Sequence, residues 1–369
     1  MLSYLTTKPS VWSRNLPGRK DTFAVTWKGI SPTLLNPVIS LAPIHMERTL
    51  DIRSALKRGI AELRDASVPS FTLAAELLLL HVLGRDRAWL YAHPEDTVSS
   101  LDAHRFVSLI ARRAEGKPLQ YLTGKQEFWG LEFEITPDVL IPRPETEHVI
   151  EVALDRLAVR EIRAGRKQTL NGEGLEIADI GTGSGCIAIA LAKELPQASF
   201  FASDISAAAL AVARRNAARH GVADRIKFIE SNLFDAFPAG ARYIVPLQTS
   251  LPANAQHGLS VGRDEPRSFD LIVSNPPYVG RKEKESLMRE VREHEPEIAL
   301  YGGEAGYEFY ADLIAESAKH LKAGGLLVLE LGHNSLAAVQ PLLDAPIWTN
   351  AGVTNDLAGI PRVIAAERI

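Results

Sequence analysis

The sequence predicts an α/β fold in which helices cover both faces of a mostly parallel sheet. A small all-α bundle and a β-hairpin linker are expected to precede this sheet. Two observations carry the prediction. Apolar strand-like segments alternate with helical patterns from about residue 175 onwards, and a glycine-rich turn directly follows the first of these strands. Such alternation supplies the crossover helices that parallel neighbouring strands require.

Composition and charge narrow the class of protein. The chain has 369 residues, which corresponds to about two domains, and a net charge of -4 at pH 7. A dedicated nucleic-acid-binding protein usually carries a basic excess, so we expect no direct DNA partner. No apolar run approaches the roughly 18 residues that span a bilayer, so we expect no membrane partner. The single cysteine, Cys186, excludes an internal disulfide, and the lack of HExxH and CxxC patterns predicts no metal site.

The first residues differ in composition from the rest of the chain. Up to residue 45, Asp21 is the only acidic residue among several Lys and Arg residues, and prolines and serines interrupt any periodicity. We interpret residues 1–47 as a disordered N-terminal extension. A basic organelle-targeting segment is the alternative.

Residues 48–125 are predicted to form a helical substrate-docking domain, with a purely structural cap as the alternative. Apolar residues recur at three- and four-residue steps along the first helix: Ile52, Leu56, Ile60 and Leu63. Residues 74–83 are nearly all apolar and are followed by Gly84, which is typical of a helix end. A third stripe covers residues 101–114, and this segment contains no catalytic constellation.

Residues 126–142 contain alternating strand-forming residues and predict a β-hairpin linker with its turn near residues 137–138. The Pro-Arg-Pro sequence at residues 142–144 is interpreted as a rigid hinge, with direct substrate contact as the alternative. We expect Thr146 to cap the helix that follows.

The second domain, residues 143–369, alternates strands with helices. Strands are expected at residues 175–180, 199–203, 226–230, 271–274 and 326–331. Helices are expected near residues 186–195, 206–220, 307–322 and 335–343. Residues 236–268 interrupt the alternation with prolines, glycines and no clear period, and we interpret them as a long surface insertion.

A candidate cofactor loop follows the first strand of this domain. Its residues are Gly181, Thr182, Gly183, Ser184 and Gly185. Glycines allow a sharp turn and close approach of a ligand to the backbone, and the helix that follows offers free N–H groups. Asp204 ends the second strand, where a carboxylate can accept hydrogen bonds from both hydroxyls of a ribose. A helix cap is the alternative for Asp204, and we expect Cys186 to be a buried helix residue and not a nucleophile.

A second candidate site ends the strand at residues 271–274. Asn275, Pro276, Pro277 and Tyr278 follow it, and we call them the NPPY turn. Two prolines fix φ and remove two backbone donors, so the strand stops there. Because ligands of open α/β sheets bind outside the carboxyl ends of the strands, we expect this turn to grip a planar amide or amine beside a methyl donor. An ordinary turn is the alternative.

The spacing D-x-G-x-G-x-G from Asp179, the acid at position 204 and the NPPY turn together resemble the class I methyltransferases, which have a Rossmann-like fold and use S-adenosylmethionine. Their NPPY subgroup methylates adenine N6 or a glutamine side-chain amide. Residues 120–124, 140–147 and 291–310 look like those of the release factor glutamine methyltransferases, and this likeness covers residues 48–369. That family methylates N5 of the glutamine in the Gly-Gly-Gln motif of class 1 peptide chain release factors.

The resemblance implies a role for each matching position. The residues implied to bind the cofactor are Gly181, Thr182, Gly183, Ser184, Gly185, Asp204, Asn232, Leu233 and Asn275. The catalytic positions are Asn275, Pro276 and Tyr278, and Pro277 joins them in binding the substrate amide. An acid and an aromatic residue often stand where this chain has Asn232 and Leu233, so less stacking on adenine is expected. The resemblance also implies a cytoplasmic monomer whose partners are release factors.

Three other functions compete with this interpretation. An adenine-N6 DNA methyltransferase would share the NPPY turn but should carry a basic target-recognition domain. A glutamine methyltransferase that acts on a ribosomal protein would have the same site residues, and only the family resemblance favours a release factor as the substrate. A non-enzymatic binding protein would have no need to retain both Asn275 and Asp204.

Overall fold

The structure, a computed structural model, describes residues 50–165, 171–237 and 268–369. The predicted N-terminal extension and nearly all of the predicted insertion at 236–268 lie outside the described residues. The helices are α1 Ile52–Asp65, α2 Phe71–Leu83, α3 Arg87–Ala92, α4 Ser100–Ala114, α5 Leu119–Thr123, α6 Glu147–Arg163, α7 Cys186–Glu194, α8 Ala207–Arg219, α9 Arg289–His294, α10 Glu297–Leu300, α11 Glu308–His320 and α12 Leu336–Val339. The strands are β1 Lys125–Phe128, β2 Leu131–Glu134, β3 Glu176–Ile180, β4 Ser199–Asp204, β5 Ile226–Glu230, β6 Phe269–Ser274, β7 Val279–Gly280, β8 Tyr301–Gly303, β9 Leu321–Glu330, β10 Trp348–Asn355 and β11 Pro361–Arg368.

The predicted helical stripes form a bundle of α1, α2 and α4, and the short helices α3 and α5 join it. Asp51 caps α1 by accepting a hydrogen bond of 2.7 Å from the Ser54 N–H. Gly84 ends α2 with a φ of 61°, the left-handed conformation that glycine adopts without cost. Leu78 and Phe106 are buried between the helices, so the apolar stripes face one another.

The predicted β-hairpin is present, but its turn lies at residues 129–130 and not near residues 137–138. Strands β1 and β2 pair antiparallel, and Trp129 and Gly130 connect them. Both connecting residues have positive φ values, 54° and 66°, which twist a two-residue turn to match the strands. Val139 and Ile141 lie outside any strand but are buried in the core. Their apolar pattern reflects burial and not strand pairing.

The central sheet has seven strands in the order β10-β11-β9-β6-β3-β4-β5. The predicted strands pair parallel, while β11 runs antiparallel to both of its neighbours. Helices α6, α7 and α8 pack on one face, and α11 and α12 pack on the other. This confirms the predicted Rossmann-like sheet. Strands β10 and β11 were not predicted, because their stretch contains Asn, Gly and Pro residues that obscure a strand pattern.

The strand order reverses at β3, which lies between β4 and β6. An open α/β sheet forms its ligand crevice at such a point, outside the carboxyl ends of the strands. The glycine loop after β3 and the NPPY turn after β6 therefore lie side by side. In the described ranges, no helix has the length and apolar character needed to cross a membrane. The same ranges contain no cluster of side chains suited to a metal ion.

A buried ion pair joins the helical bundle to the segment beyond the NPPY turn. Arg113 on α4 is nearly inaccessible and pairs with Glu290 on α9 at 2.6 Å. Its guanidinium also donates to the Lys117 carbonyl at 2.8 Å. Because Arg113 is buried, removing Glu290 would leave its charge uncompensated, which is expected to be destabilising.

Candidate active site

The glycines of the cofactor loop are needed for two different physical reasons. Gly181 and Gly183 have φ values of 74° and 55°, and a Cβ at either would meet no atom within 4 Å. Their backbone therefore faces open space, and a ligand can approach it closely. A Cβ on Gly185 would lie 3.0 Å from Ile189 Cδ1 and 3.1 Å from Ala213 Cβ. The third glycine thus permits α7 to pack against α8.

A buried carboxylate holds this loop in shape. Asp179 Oδ2 accepts a hydrogen bond of 2.6 Å from the Thr182 hydroxyl and one of 3.2 Å from the Ala188 N–H. Burial raises the pKa of Asp179 to about 7, against the effect of these two hydrogen bonds. Its other oxygen, Oδ1, is buried and has no partner among the described residues.

Asp204 stands at the end of β4 beside the loop. Its Oδ2 accepts from the Gly183 N–H at 2.9 Å, and its Oδ1 accepts from the Ser206 N–H at 2.9 Å. The cap of α8 is Ser206, whose hydroxyl oxygen accepts from the Ala209 N–H. The helix-cap alternative for Asp204 is therefore wrong. Burial raises the pKa of Asp204, and its backbone hydrogen bonds oppose that rise.

Asn232 and Leu233 follow β5 at the same edge of the sheet. Asn232 is exposed, and its Nδ2 lies 3.4 Å from Asp235 Oδ2. Leu233 is half-buried and has a φ of 48°, which is uncommon for a residue with a side chain. Such backbone conformations cluster at ligand sites. Contact with adenine at these positions stays a prediction.

The NPPY turn carries a buried acceptor that none of the described residues occupies. Asn275 Nδ2 donates to Thr146 Oγ1 at 3.1 Å, while Asn275 Oδ1 is buried without a partner in the described parts of the chain. An unsatisfied buried acceptor costs on the order of 1–3 kcal/mol, so a ligand donor is the natural partner. Thr146 makes no side-chain capping bond to α6, contrary to expectation, because its own backbone is helical, with a φ of -66° and a ψ of -21°.

Tyr278 is fixed at the other end of the turn. Its hydroxyl donates to Glu330 Oε1 at 3.2 Å. The nearby Glu330 charge and burial raise the pKa of Tyr278 well above its usual value. Tyr278 therefore stays protonated at neutral pH and serves as a donor to Glu330, with its ring beside the Gly332 backbone.

Two glycines, Gly302 and Gly306, pack against the backbone of the NPPY turn, and we call them the brace. A Cβ on Gly302 would lie 2.2 Å from the Pro277 carbonyl oxygen, and one on Gly306 would lie 2.4 Å from that of Tyr278. Strand β8, which contains Gly302, pairs parallel with β7 directly after the turn. Backbone therefore packs on backbone here, and any side chain would displace the carbonyls of the turn.

Two motifs that are distant in sequence form one clamp. Arg143 Nη2 donates to Glu295 Oε1 at 2.5 Å, and the Ile141 N–H donates to Glu295 Oε2 at 3.3 Å. Glu295 is buried, which raises the pKa of its carboxyl, while Arg143 opposes that rise. This arrangement supports the hinge interpretation of residues 142–144. No local sequence pattern indicated that Arg143 and Glu295 would meet.

Asn216 is a site residue that sequence reasoning missed. It lies fully buried on α8, and its Oδ1 accepts from the Glu134 N–H at 2.7 Å. Its Nδ2 donates to the carbonyls of Glu134 at 3.0 Å and Ser184 at 2.9 Å. One amide thus links the hairpin to the cofactor loop. An asparagine within an otherwise apolar helix face was the only signal available.

Cys186 is a buried residue of α7. It is buried at the start of α7, and burial raises the pKa of its thiol to about 12. A thiol with so high a pKa provides very little thiolate at neutral pH. The prediction that Cys186 is a buried helix residue is confirmed.

The cleft suits S-adenosylmethionine. The carboxyl-terminal edge of the sheet carries open glycine backbone at Gly181 and Gly183, the Asp204 carboxylate, and Asn275, whose buried Oδ1 has no partner among the described residues. Gly181, Gly183 and Asp204 would hold the cofactor, which when bound supplies an electrophilic methyl group.

The fold and the site together define a class I S-adenosylmethionine-dependent methyltransferase. The family model for the PrmC N-terminal domain matches residues 54–124, and that for the methyltransferase small domain matches residues 167–246. A release factor glutamine methyltransferase of Koribacter versatilis is 40% identical over 319 residues, which are 86% of this chain and 99% of that protein. One from Nitratidesulfovibrio vulgaris is 38% identical over 319 residues, covering 86% of this chain and 95% of the relative. The chain belongs to the release factor glutamine methyltransferase family.

Replacing Asp204 with alanine is expected to weaken binding of S-adenosylmethionine by about ten- to a hundredfold, the cost of losing hydrogen bonds to one charged group. Isothermal calorimetry measures this directly. Ser206→Ala is the matched control, because it removes the cap of α8 and leaves the Asp204 carboxylate in place. Unchanged affinity in the Asp204 variant would remove this residue from the cofactor site.

Proposed function

We propose that this protein transfers the methyl group of S-adenosylmethionine to N5 of the glutamine in the Gly-Gly-Gln motif of class 1 peptide chain release factors. The observation that carries the proposal is the buried Oδ1 of Asn275 after β6, which has no hydrogen-bond partner among the residues that the structure describes. Family membership supplies the identity of the target, since the relatives named above are release factor glutamine methyltransferases.

The target amide needs alignment more than activation by a base. Its nitrogen is a poor nucleophile, because the lone pair is delocalised into the carbonyl. Asn275 Oδ1 accepts one N–H of the amide, and the carbonyl of Pro276 accepts the other. Two acceptors fix the plane of the amide and favour the positive charge that develops on nitrogen.

The remaining residues of the turn support this geometry. Pro276 and Pro277 keep the backbone rigid because both have a fixed φ. Tyr278 packs against the flat amide and, being protonated, does not act as a base. The methylated nitrogen is acidic enough to lose its proton to water, so no strong general base is required.

The helical segment, residues 48–125, is proposed as the surface that docks the release factor. The Arg113–Glu290 pair supports this, because it brings the bundle into contact with α9, which follows the NPPY turn in sequence. We propose that the enzyme acts as a monomer, as the family resemblance implies. We place it in the cytoplasm, where release factors end translation.

Methyl transfer from labelled S-adenosylmethionine to purified release factor tests the proposal. We expect label on the unaltered factor and none on a factor whose Gly-Gly-Gln glutamine is replaced by alanine. Duplex DNA and ribosomal subunits serve as competing substrates in the same assay. Label on DNA, on a ribosomal protein or on the altered factor would contradict the proposal.

A further inference from the structure

Helix α8 contacts the hairpin through exposed charged side chains and through one buried amide. Arg215 forms an ion pair with Glu134 at 2.7 Å, and Arg219 lies 3.6 Å from Glu132. Exposed pairs of this kind contribute little to stability, because solvent screens their charges. The amide belongs to Asn216, which is fully buried and whose hydrogen bonds extend beyond the hairpin.

The Asn216 amide uses its acceptor and both of its donors. Oδ1 accepts from the Glu134 N–H at 2.7 Å, and this fixes which end of the amide is oxygen, since an N–H can only donate. Nδ2 donates to the Glu134 carbonyl at 3.0 Å and to the Ser184 carbonyl at 2.9 Å. Among side chains, only the carboxamides of Asn and Gln offer an acceptor and two donors in one plane. These partners therefore select an amide at position 216.

Ser184 is a point where the cofactor loop needs a partner from another element. It stands between Gly183 and Gly185, whose φ values are 55° and 83°. Glycine has the widest conformational freedom of any residue, so contacts with neighbouring elements must hold this turn in one shape. Ser184 is itself 2% exposed, and a buried carbonyl without a partner is costly. Asn216 supplies the partner for that carbonyl.

Three elements of the domain hold consecutive residues of this loop. Asp179 of β3 accepts from the Thr182 hydroxyl at 2.6 Å, and Asp204 of β4 accepts from the Gly183 N–H at 2.9 Å. Asn216 of α8 adds the third contact, one residue further along the chain. The open glycine backbone lies within this segment, so loss of one contact changes the surface that a cofactor meets.

We propose that Asn216 is a positioning residue for the cofactor, whose amide holds the Ser184 peptide and with it the glycine backbone of the loop in the conformation that accepts S-adenosylmethionine. The hairpin backbone at Glu134 in turn orients the Asn216 amide, so the linker is part of the cofactor site. Asn216 does not touch the cofactor in this account. The inference rests on the cofactor loop as the binding site and is independent of which substrate is methylated.

The first experiment measures binding of S-adenosylhomocysteine to Asn216→Ala by calorimetry. We expect affinity to fall by about 10- to 100-fold, as for residues that orient ligand-binding groups elsewhere. Arg215→Ala is the matched control, because it removes the ion pair with the same hairpin residue and leaves the Asn216 amide in place. Its affinity should equal that of the unaltered protein. Unaltered affinity in Asn216→Ala, or an equal loss in both variants, would overturn the proposal.

A second variant keeps the proposal testable if thermal melting shows that Asn216→Ala is unfolded. Asn216→Asp has nearly the same shape and keeps an oxygen that accepts from the Glu134 N–H. An ionised carboxylate has no proton to donate, and a protonated one has a single proton for two carbonyls. We therefore expect an affinity loss of about tenfold or more, and full affinity in this variant would overturn the role of Asn216.

Steady-state kinetics separate positioning of the cofactor from general damage to the enzyme. We expect Asn216→Ala to raise KM for S-adenosylmethionine about 10- to 100-fold, with kcat at saturating cofactor and KM for the release factor nearly unaltered. A lowered kcat with an unaltered KM for the cofactor would overturn the proposal. If the unaltered enzyme does not label the release factor, the proposed function fails, while the calorimetric result still decides the role of Asn216.

Hydrogen exchange follows the loop in the absence of any cofactor. The Gly183 N–H donates to Asp204 Oδ2 at 2.9 Å and the Gly185 N–H donates to the Thr182 carbonyl at 2.8 Å, so both are protected. In Asn216→Ala we expect both amides to exchange about tenfold faster or more, with the amides of β3 unaltered. Arg215→Ala should exchange like the unaltered protein. Unaltered protection of the loop in Asn216→Ala would overturn the proposal.

Discussion

Asn275→Ala is expected to lower methyl transfer by about a hundredfold or more, the loss seen when a single oriented polar group is removed from an active site. The variant loses the acceptor that aligns the target amide, while β6 and both prolines remain. Single-turnover transfer to the release factor measures the effect, and thermal melting should show little loss of fold.

Asn355→Ala is the matched control for this variant, since Asn355 is an exposed asparagine at the end of β10, on the antiparallel edge of the sheet. Its turnover should equal that of the unaltered enzyme. Near-normal turnover in Asn275→Ala would remove Asn275 from the mechanism.

Gly302→Ala is expected to reduce turnover by a comparable factor, although Gly302 belongs to the brace behind the turn. The added Cβ would lie 2.2 Å from the Pro277 carbonyl oxygen, so the backbone of the turn must move. A displacement of about 1 Å in a positioning group can cost about a hundredfold in rate. Overpacking of this kind should also destabilise the fold by about 1–3 kcal/mol, measured by denaturant unfolding.

Gly352→Ala is the control for this glycine. There a Cβ would lie 2.6 Å from Arg156 Nη2, which is the far end of a flexible side chain and can move away. We expect nearly unaltered turnover and stability. If Gly302→Ala behaved in the same way, the brace would have no part in holding the NPPY turn.

Much of the fold could be predicted from local sequence pattern. Strands β3, β4, β5, β6 and β9 were found because parallel strands buried on both faces form continuous apolar runs. The hairpin turn was misplaced because Trp129 is an unusual residue in a left-handed conformation, and only Gly130 signals the turn. Strands β10 and β11 depend on pairing with each other and with β9, which no local pattern reveals.

In the candidate site too, the parts formed by consecutive residues could be predicted and the contacts between distant residues could not. The NPPY turn and the cofactor loop each consist of consecutive residues, so their residue types indicated their chemistry. The clamp of Arg143 with Glu295 joins residues that are distant along the chain, and only the tertiary structure brings them together. Thr146 was predicted to cap a helix because threonine is common at helix N-caps, whereas its hydroxyl oxygen accepts a hydrogen bond from Asn275 Nδ2.

The most direct test of the central claim is a crystal structure of the enzyme with S-adenosylhomocysteine and a peptide containing Gly-Gly-Gln. We predict the glutamine side chain at the NPPY turn, with its amide nitrogen about 3 Å from Asn275 Oδ1 and from the Pro276 carbonyl oxygen. A complex in which Asn275 Oδ1 faced the protein interior, with the glutamine held by other residues, would contradict the account.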